Sequence, residues 1–267
     1  MQKKEYSIEI GGRKIVAIFS DLVNQANGSV IVKCGETSIL ATAVMSKKDR
    51  AGLDYFPLVV DYEEKFYAAG RILGGQFIRR EGRPSDEAIL TGRVIDRTIR
   101  PLFDQYIRRD VQIVITALSI DEENDPDVLS ILGASLAIST SDIPWNGPVG
   151  AVRIIIDENG QTQVNGGYAT RPKARLDAVI CGKDQKINMI ETEAKEITED
   201  AMKKVFGDAL VEIKKLEDFQ KLIVKEIGKE KIVIEKVSLP DEAVTFFKEV
   251  ILPKGSDVLF GGAGLPA

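Results

Sequence analysis

Short segments of alternating apolar and polar residues, separated by glycine turns, fill the first 65 residues of the chain. Alternation with a period of two residues is typical of half-buried β-strands. We therefore predict a hairpin over residues 5–19 around Gly11-Gly12, strands over 29–33 and 37–45, and a further strand over 56–62.

Two helices are predicted in the middle of the chain. The first, over residues 85–100, has Ser85 as a suitable N-cap and Pro101 as its end. A buried strand is predicted over residues 111–118. The second helix begins at Asp125-Pro126, and its many small residues indicate that it is buried.

After a turn at residues 144–148, the pattern returns to strands and then to helices. We predict four short strands between residues 151 and 190, a helix over 198–227, a linker over 229–238 and another helix from Pro240. This order indicates an α/β sandwich of two related halves, followed by the start of a helical segment.

Histidine is absent from all 267 residues. Serine–histidine–aspartate and cysteine–histidine catalysis are therefore excluded, as are histidine-ligated metal sites. Cys34 and Cys181 are far apart in the sequence, which argues against a disulfide scaffold and favours a reducing cytoplasm. No apolar run is long enough for a transmembrane helix, and the charged start does not resemble a signal peptide.

The arginines are concentrated in one part of the chain. Although the net charge is −5, nine of the 14 arginines lie between residues 71 and 109, a window with no lysine and five acidic residues. The planar guanidinium group binds phosphate through two parallel hydrogen bonds, so this concentration indicates phosphate recognition.

The loop over residues 74–84 combines Gly74-Gly75 with an aromatic side chain and three arginines. Phe77 offers a flat face for an unstacked base, while Arg79, Arg80 and Arg83 offer charges for successive phosphates of a single strand. The alternative is a surface loop fixed by pairs between these arginines and Glu81 or Asp86.

The following helix carries three more arginines on one side. Arg93, Arg97 and Arg100 are spaced i, i+4, i+7 and fall within a narrow arc, opposite the apolar face. They are candidates to support an RNA or phosphate path. The alternative is a buried salt-bridge network with Asp96 or Asp104.

Several long motifs, in this order, resemble bacterial polynucleotide phosphorylase. They are Phe66–Arg71, Phe77–Ser85, Ile95–Phe103, Ile143–Pro148 and Leu176–Gly182. The resemblance extends from about residue 5 to residue 230. It implies an α/β (α+β) fold: a ribonuclease PH-like core of mixed β-sheets and helices, followed by the start of an all-α domain.

The resemblance also implies domain boundaries and an RNA-binding loop. Residues 1–145 and 146–230 would be the two halves of the first core, and 231–267 the start of the helical domain, ending as a fragment does at Ala267. Phe77, Arg79, Arg80 and Arg83 match the family's arginine loop, which grips single-stranded RNA at the neck of a trimeric ring. Ile78 stands where the family often has a second phenylalanine.

The family degrades RNA from the 3′ end with inorganic phosphate and Mg²⁺, releasing nucleoside 5′-diphosphates in the cytoplasm. The resemblance places the phosphate site and the Mg²⁺ ligands in a second core, so we expect no catalytic and no metal-binding residue in this chain. The resemblance further implies a homotrimer that binds single-stranded RNA and RNA-degradation partners, and no membrane.

The start of the second predicted helix supports this expectation independently. Asp125 as N-cap and Pro126 at the first helical position use up or remove the free amides that bind anions, and Asp127 adds negative charge. Asp177 is expected to stand alone in its strand, without the second carboxylate that Mg²⁺ requires.

Three functions remain open. The chain is the N-terminal part of a phosphorolytic exoribonuclease, a stand-alone non-catalytic RNA-binding ring subunit, or a structural domain with a surface arginine network. Whether the encoding frame continues beyond Ala267 separates the first two. RNA affinity no better than net charge predicts would favour the third.

Overall fold

The computed structural model describes residues 3–72, 83–121, 123–236 and 240–255. The chain divides into two compact units, Met1–Val233 and Ile234–Ala267. The larger unit contains two β-sheets and three long helices among its described residues. The domain boundaries expected from the sequence, at residues 145/146 and 230/231, stay predictions.

Six strands form the first sheet, in the order β1-β2-β3-β4-β6-β5. Their bounds are β1 Lys3–Ile10, β2 Arg13–Ser20, β3 Gly28–Cys34, β4 Thr37–Met45, β5 Leu58–Glu64 and β6 Val111–Ser119. All neighbours are antiparallel except β5 and β6, which are parallel. The predicted start of β5 is two residues early, because Pro57 has no N–H to donate to the ladder.

The second sheet has four antiparallel strands in the order β10-β9-β7-β8. Their bounds are β7 Gly150–Ile156, β8 Thr162–Val164, β9 Leu176–Lys183 and β10 Lys186–Ala194. Every residue of β7 is buried, because helices pack against this strand. A buried strand with one arginine at its centre needs an internal partner for the charge.

Three helices complete the larger unit: α1 Asp86–Ile99, α2 Pro126–Thr140 and α3 Glu199–Ile227. Helix α2 packs on β3, β4 and β7, and all its residues except Asp127 are buried, which confirms the predicted burial. Gly133 permits the close approach, since a Cβ there would lie 2.6 Å from Ile39 Cδ1. Helix α1 packs on β5 and β10, with Ser85 as the predicted N-cap.

After α3, the chain up to residue 232 is hydrogen-bonded to the C-terminal end of α2 and its following residues. The backbone N–H groups of Lys229 and Ile232 donate to the carbonyls of Thr140 (3.1 Å) and Asp142 (2.8 Å). Lys231 Nζ donates to three carbonyl oxygens at the C-terminal end of α2, those of Ile138, Ser139 and Ser141. We call residues 229–232 the strap, and it corrects the predicted linker over 229–238.

The smaller unit contains helix α4, Asp241–Phe246, which continues into a π-helical turn over Phe247–Ile251. Within the described part of the chain, no helix has the length and apolar character required to cross a membrane. Cys34 and Cys181 are both buried free thiols.

Candidate functional site

A cleft of about 610 Å³ opens between helix α1, the N-terminus of α2 and strands β9 and β10. Helix α1 contributes Arg93 and Arg97 to its lining, and β10 contributes Glu191 and Glu193. We call it the α1–β10 cleft. Guanidinium and carboxylate groups from several elements line this cleft together.

The floor of this cleft is organised around Arg153 of β7. Its guanidinium lies 2.5 Å from Asp125 Oδ2, 2.6 Å from Asp177 Oδ1 and 3.5 Å from Asp127 Oδ2. The Arg153 side chain is only 7% exposed. The short contacts therefore supply the compensation that a buried charge requires.

Strand register explains why Arg153 meets Asp177, although 23 residues separate them in sequence. Arg153 lies opposite Val179 in the β7–β9 ladder, and Asp177 lies opposite Ile155. The two side chains are therefore diagonal neighbours on the same face of the sheet. Asp177 is thus paired with an arginine of the neighbouring strand.

Arg171 completes the cluster from a 3₁₀ turn over Tyr168–Lys173. Its Nε lies 2.9 Å from Asp177 Oδ2 and its Nη1 3.5 Å from Asp125 Oδ2, while its guanidinium lies 4.8 Å from the centre of the Tyr168 ring. Three carboxylates thus share two guanidinium groups. We call Asp125, Asp127, Asp177, Arg153 and Arg171 the ion cluster.

The chain's own carboxylates occupy the N-terminus of α2. Asp125 is the N-cap and accepts the Asp127 N–H at 2.8 Å, and Pro126 is the first helical residue, as predicted. A helix N-terminus attracts anions through its free amides and its dipole. Here those features act on Asp125 and Asp127, so the chain's own carboxyl groups occupy the place that an incoming phosphate would take.

The loop before α2 is fixed by Asp121. Its carboxylate accepts the N–H groups of Glu36, Thr37, Glu123 and Asn124. Burial of Asp121 opposes ionisation, but the hydrogen bonds from Asn124 and its neighbours outweigh it and hold the pKa of this carboxyl well below its usual range. The ionised Asp121 carboxylate therefore fixes the position of the segment that precedes Asp125.

Asp127 is the least compensated carboxylate of the ion cluster. Thr91 Oγ1 of α1 donates to Asp127 Oδ1 at 2.9 Å, and the nearest Arg153 nitrogen is 3.5 Å away. Burial, followed by repulsion from Asp125, raises the pKa of Asp127 well above its usual range.

The described residues do not fit a Mg²⁺ ion. Mg²⁺ requires near-octahedral oxygen ligands and keeps several waters. The best-placed carboxylates are Asp125, Asp127 and Asp177, but they surround the Arg153 guanidinium, whose positive charge would repel the metal. Apart from these, the described part of the chain contains no suitable cluster of three potential ligands.

The three helix arginines predicted as a group are divided by the structure. Arg93 and Arg97 both line the α1–β10 cleft, with Arg97 Nη1 3.8 Å from Glu191. Arg100 instead binds Asp96, with its Nη2 at 2.6 Å, and donates to the Leu58 carbonyl at 3.0 Å. Arg100 thus joins α1 to β5, and the supporting role in an RNA path stays a prediction for all three.

Of the four predicted RNA-binding residues in the loop, the structure describes Arg83 alone. Arg83 is exposed and lines a second cleft, of about 460 Å³, with Arg71 and Ser85 at the N-terminal end of α1. Phe77, Arg79 and Arg80 lie outside the described residues. The RNA-binding role of these four residues stays a prediction.

Sequence reasoning missed Arg153 and Arg171. One signal was available for Arg153, because a single arginine interrupts the apolar run Ala151–Ile156. A buried strand tolerates such a residue only if a carboxylate meets it. No comparable signal marked Arg171, whose role depends on the fold of its turn.

Comparison with known proteins defines the class to which this fold and site belong. The sequence profile of the 3′ exoribonuclease family, domain 1, matches residues 11–144, which is half of the chain. The chain therefore belongs to the 3′ exoribonuclease family.

More particular relatives are polyribonucleotide nucleotidyltransferases. The protein of that name from Caldicellulosiruptor saccharolyticus is 43% identical over 254 residues, which cover 95% of this chain and 36% of the relative. That from Exiguobacterium sibiricum is 44% identical over 246 residues, covering 92% and 33%. The chain thus spans about a third of the length of the curated relatives it matches.

Two solved structures confirm the fold class. Rice (Oryza sativa) Rrp46 superimposes with a TM-score of 0.63 at 12% identity, covering 83% of this chain and 94% of that one. The Archaeoglobus fulgidus exosome with RNA bound to the active site gives 0.60 at 17% identity, covering 81% and 87%. At these identities the likeness concerns the fold, a ribonuclease PH-like core.

Proposed function

We propose that this chain is the first core of a phosphorolytic 3′-to-5′ exoribonuclease. In the whole protein, inorganic phosphate would attack the terminal phosphodiester of single-stranded RNA, in the presence of Mg²⁺, and release nucleoside 5′-diphosphates. Family membership and 43% identity to a polyribonucleotide nucleotidyltransferase support this proposal.

Within that enzyme, this core guides RNA and builds the ring, and the chemistry takes place elsewhere. One observation carries this assignment: the N-terminus of α2 is capped by Asp125, which is in turn held by the nearly buried Arg153. The position that could bind phosphate therefore contains carboxylates. The guanidinium groups beside it are already engaged by those carboxylates.

The RNA path is assigned to the arginine-rich window, residues 71–109. Arg93 and Arg97 border a cleft large enough for a nucleotide, and Arg83 lies near the start of the same helix. Phe77, Arg79 and Arg80 complete the proposed contact, by resemblance to the family's arginine loop. The same resemblance supports a homotrimer, RNA-degradation partners and a cytoplasmic location.

A stand-alone, non-catalytic RNA-binding ring subunit is the second candidate. It is favoured by the similarity in fold to rice Rrp46, because this chain covers 94% of that protein. A reading frame that ends at residue 267 would favour this candidate, and one that continues would favour the enzyme.

Incubation with poly(A), inorganic phosphate and Mg²⁺, followed by chromatography for ADP, tests the proposal. We expect no ADP from this chain, whereas the whole Caldicellulosiruptor saccharolyticus relative, as the positive control, should release it. Phosphate-dependent ADP formation by this chain alone would mean that the α2 N-terminus does accept phosphate, and the non-catalytic assignment would be wrong.

A further inference from the structure

We propose that Asp127 is the proton-binding group of a pH-sensitive contact between helices α1 and α2. This inference concerns the ion cluster itself and does not depend on RNA binding or on phosphorolysis. It begins from the charge balance, because the cluster has three carboxylates and two guanidinium groups. One negative charge is left without a matching positive charge.

The distances place that uncompensated charge on Asp127. Asp125 and Asp177 each lie within 2.6 Å of an Arg153 nitrogen, and Arg171 approaches both of them. Asp127 is 3.5 Å from Arg153. Arg153 Nη2 donates to Asp127 at this longer distance, whereas Nε and Nη1 lie close to Asp125 and Asp177, so Asp127 is the carboxylate that Arg153 compensates least.

The wider surroundings add further negative charge. Glu87 of α1 and Glu191 and Glu193 of β10 line the same cleft as Asp127. The arginines that line it, besides Arg153 and Arg171, are Arg93 and Arg97 of α1. Tyr62 of β5, whose hydroxyl donates to Glu64, and Tyr168 are also close, and both are neutral phenols near pH 7.

Among the described residues, the cleft and its ion cluster together therefore contain six carboxylates and four guanidinium groups. The carboxylates are those of Glu87, Asp125, Asp127, Asp177, Glu191 and Glu193, and the guanidinium groups are those of Arg93, Arg97, Arg153 and Arg171. Excess negative charge in a partly desolvated site favours uptake of a proton. The Asp127 side chain is 29% exposed, so solvent protons reach it directly from the cleft.

Proton uptake at this position acts on two helices at once. Asp127 lies in the first turn of α2 and accepts a hydrogen bond from Thr91 of α1. Neutral Asp127 avoids the cost of burying its charge and the repulsion from Asp125, and these effects outweigh the weaker hydrogen bond from Thr91, so the folded state is stabilised on the acid side. Raised pH ionises Asp127 and returns a negative charge to the cleft floor.

Carbon-detected NMR titration of the carboxyl groups in this chain tests the inference directly, with the Asp127 signal assigned by its loss in Asp127→Asn. Exposed Asp21, which begins a 3₁₀ turn, is the site of the control variant Asp21→Asn. We expect the Asp127 midpoint at least about 1.5 pH units above the ordinary aspartate value of about 3.9. A smaller difference would overturn the proposal.

Thr91→Val provides the matched test of the contact between helices. The Thr91 hydroxyl donates to the carboxylate and so favours its ionised form, and its removal should shift the Asp127 midpoint upward. An unchanged midpoint in Thr91→Val would show that the contact is not coupled to the proton.

Unfolding in urea at pH 5 and pH 8 supplies a second readout. A folded-state pKa above the unfolded value means that the folded chain holds a proton that the unfolded chain has released, so this stabilisation is lost as pH rises. Between pH 5 and pH 8, the urea midpoint of the wild type should therefore fall further than that of Asp127→Asn. The urea midpoint of Asp21→Asn should change with pH as that of the wild type does. Equal pH dependence in the wild type and Asp127→Asn would overturn the proposal; if Asp127→Asn does not fold, the wild-type and Thr91→Val titrations decide.

Discussion

At the scale of single residues, Arg153 is a charged side chain in a nearly buried position. It is nearly buried within a strand that is buried along its whole length, and it carries a full positive charge. Burial opposes its ionised form, but the carboxylates of Asp125 and Asp177 outweigh burial and raise the pKa of the guanidinium. Arg153 therefore stays charged, and the stability of this arrangement depends on the carboxylates of Asp125 and Asp177.

Replacement of Arg153 by methionine should destabilise the chain strongly. The side chain would keep most of its volume, but Asp125 and Asp177 would lose their shortest cationic contacts and keep only Arg171 as a partner. We expect a loss of about 3–5 kcal/mol in the free energy of unfolding, measured by urea denaturation at pH 7.

Arg50→Met is the matched control for this prediction. Arg50 pairs with Asp110 at 3.2 Å, but both side chains are more than half exposed. An exposed pair contributes less than about 1 kcal/mol, so this variant should be nearly as stable as the wild type. Equal losses in the two variants would contradict the structural role assigned to Arg153.

At the scale of secondary-structure elements, both ends of helix α2 have hydrogen-bonding side chains that lie outside the helix. Asp125 caps its first turn, and Lys231 of the strap donates to three carbonyl oxygens in and just beyond its last turn. The last carbonyls of a helix have no partner within the helix and carry its negative dipole end. A lysine ammonium satisfies both requirements.

Lys231→Met should therefore weaken the C-terminal end of α2. We expect a loss of about 1–2 kcal/mol in the free energy of unfolding, because three carbonyl oxygens lose a charged donor. Hydrogen exchange at the amides of the last turn of α2 and of the strap should accelerate.

Lys236→Met is a suitable control, since Lys236 is exposed and lies beyond the strap. It removes the same charge from a nearby part of the sequence. If both variants exchange and unfold alike, net charge rather than the helix contact would explain the effect.

At the scale of the whole molecule, the distribution of charged residues bears more on binding to a polyanion than the net charge does. The net charge of −5 does not favour binding to a polyanion, yet nine of the 14 arginines are grouped within residues 71–109. In the structure, one of these, Arg100, is engaged in joining α1 to β5, whereas Arg93 and Arg97 border an open cleft. The cationic surface is thus smaller than the sequence suggests, because carboxylates also line the cleft beside Arg93 and Arg97.

Affinity for poly(A) should fall steeply as salt concentration rises, because phosphate contacts release counterions. The double replacement Arg79→Ala and Arg80→Ala should flatten the slope of log affinity against log salt by roughly one unit for each lost contact. Filter binding over a range of KCl concentrations measures this slope.

Arg50→Ala and Arg175→Ala together form the matched control, because both arginines are exposed and lie outside residues 71–109. Their slope should equal that of the wild type. An unchanged slope in the Arg79 and Arg80 variant would refute their assignment to the RNA contact.

Local patterns predicted the secondary structure closely. Strand periodicity located β3 and β4 within a residue of their bounds, and the caps Ser85 and Asp125 were recognised from residue type and position. These features depend on interactions between residues a few positions apart. These features can therefore be predicted from the sequence alone.

The sequence by itself determined the strands, the helices, their caps and the concentration of arginine, because backbone geometry and short-range hydrogen bonds fix these properties. Only the tertiary structure decided which charges meet. Arg153 reaches Asp177 through strand register, and Lys231 reaches Ile138 through the path of the strap, across 93 residues. Such contacts depend on packing between elements, which no local pattern of residues encodes.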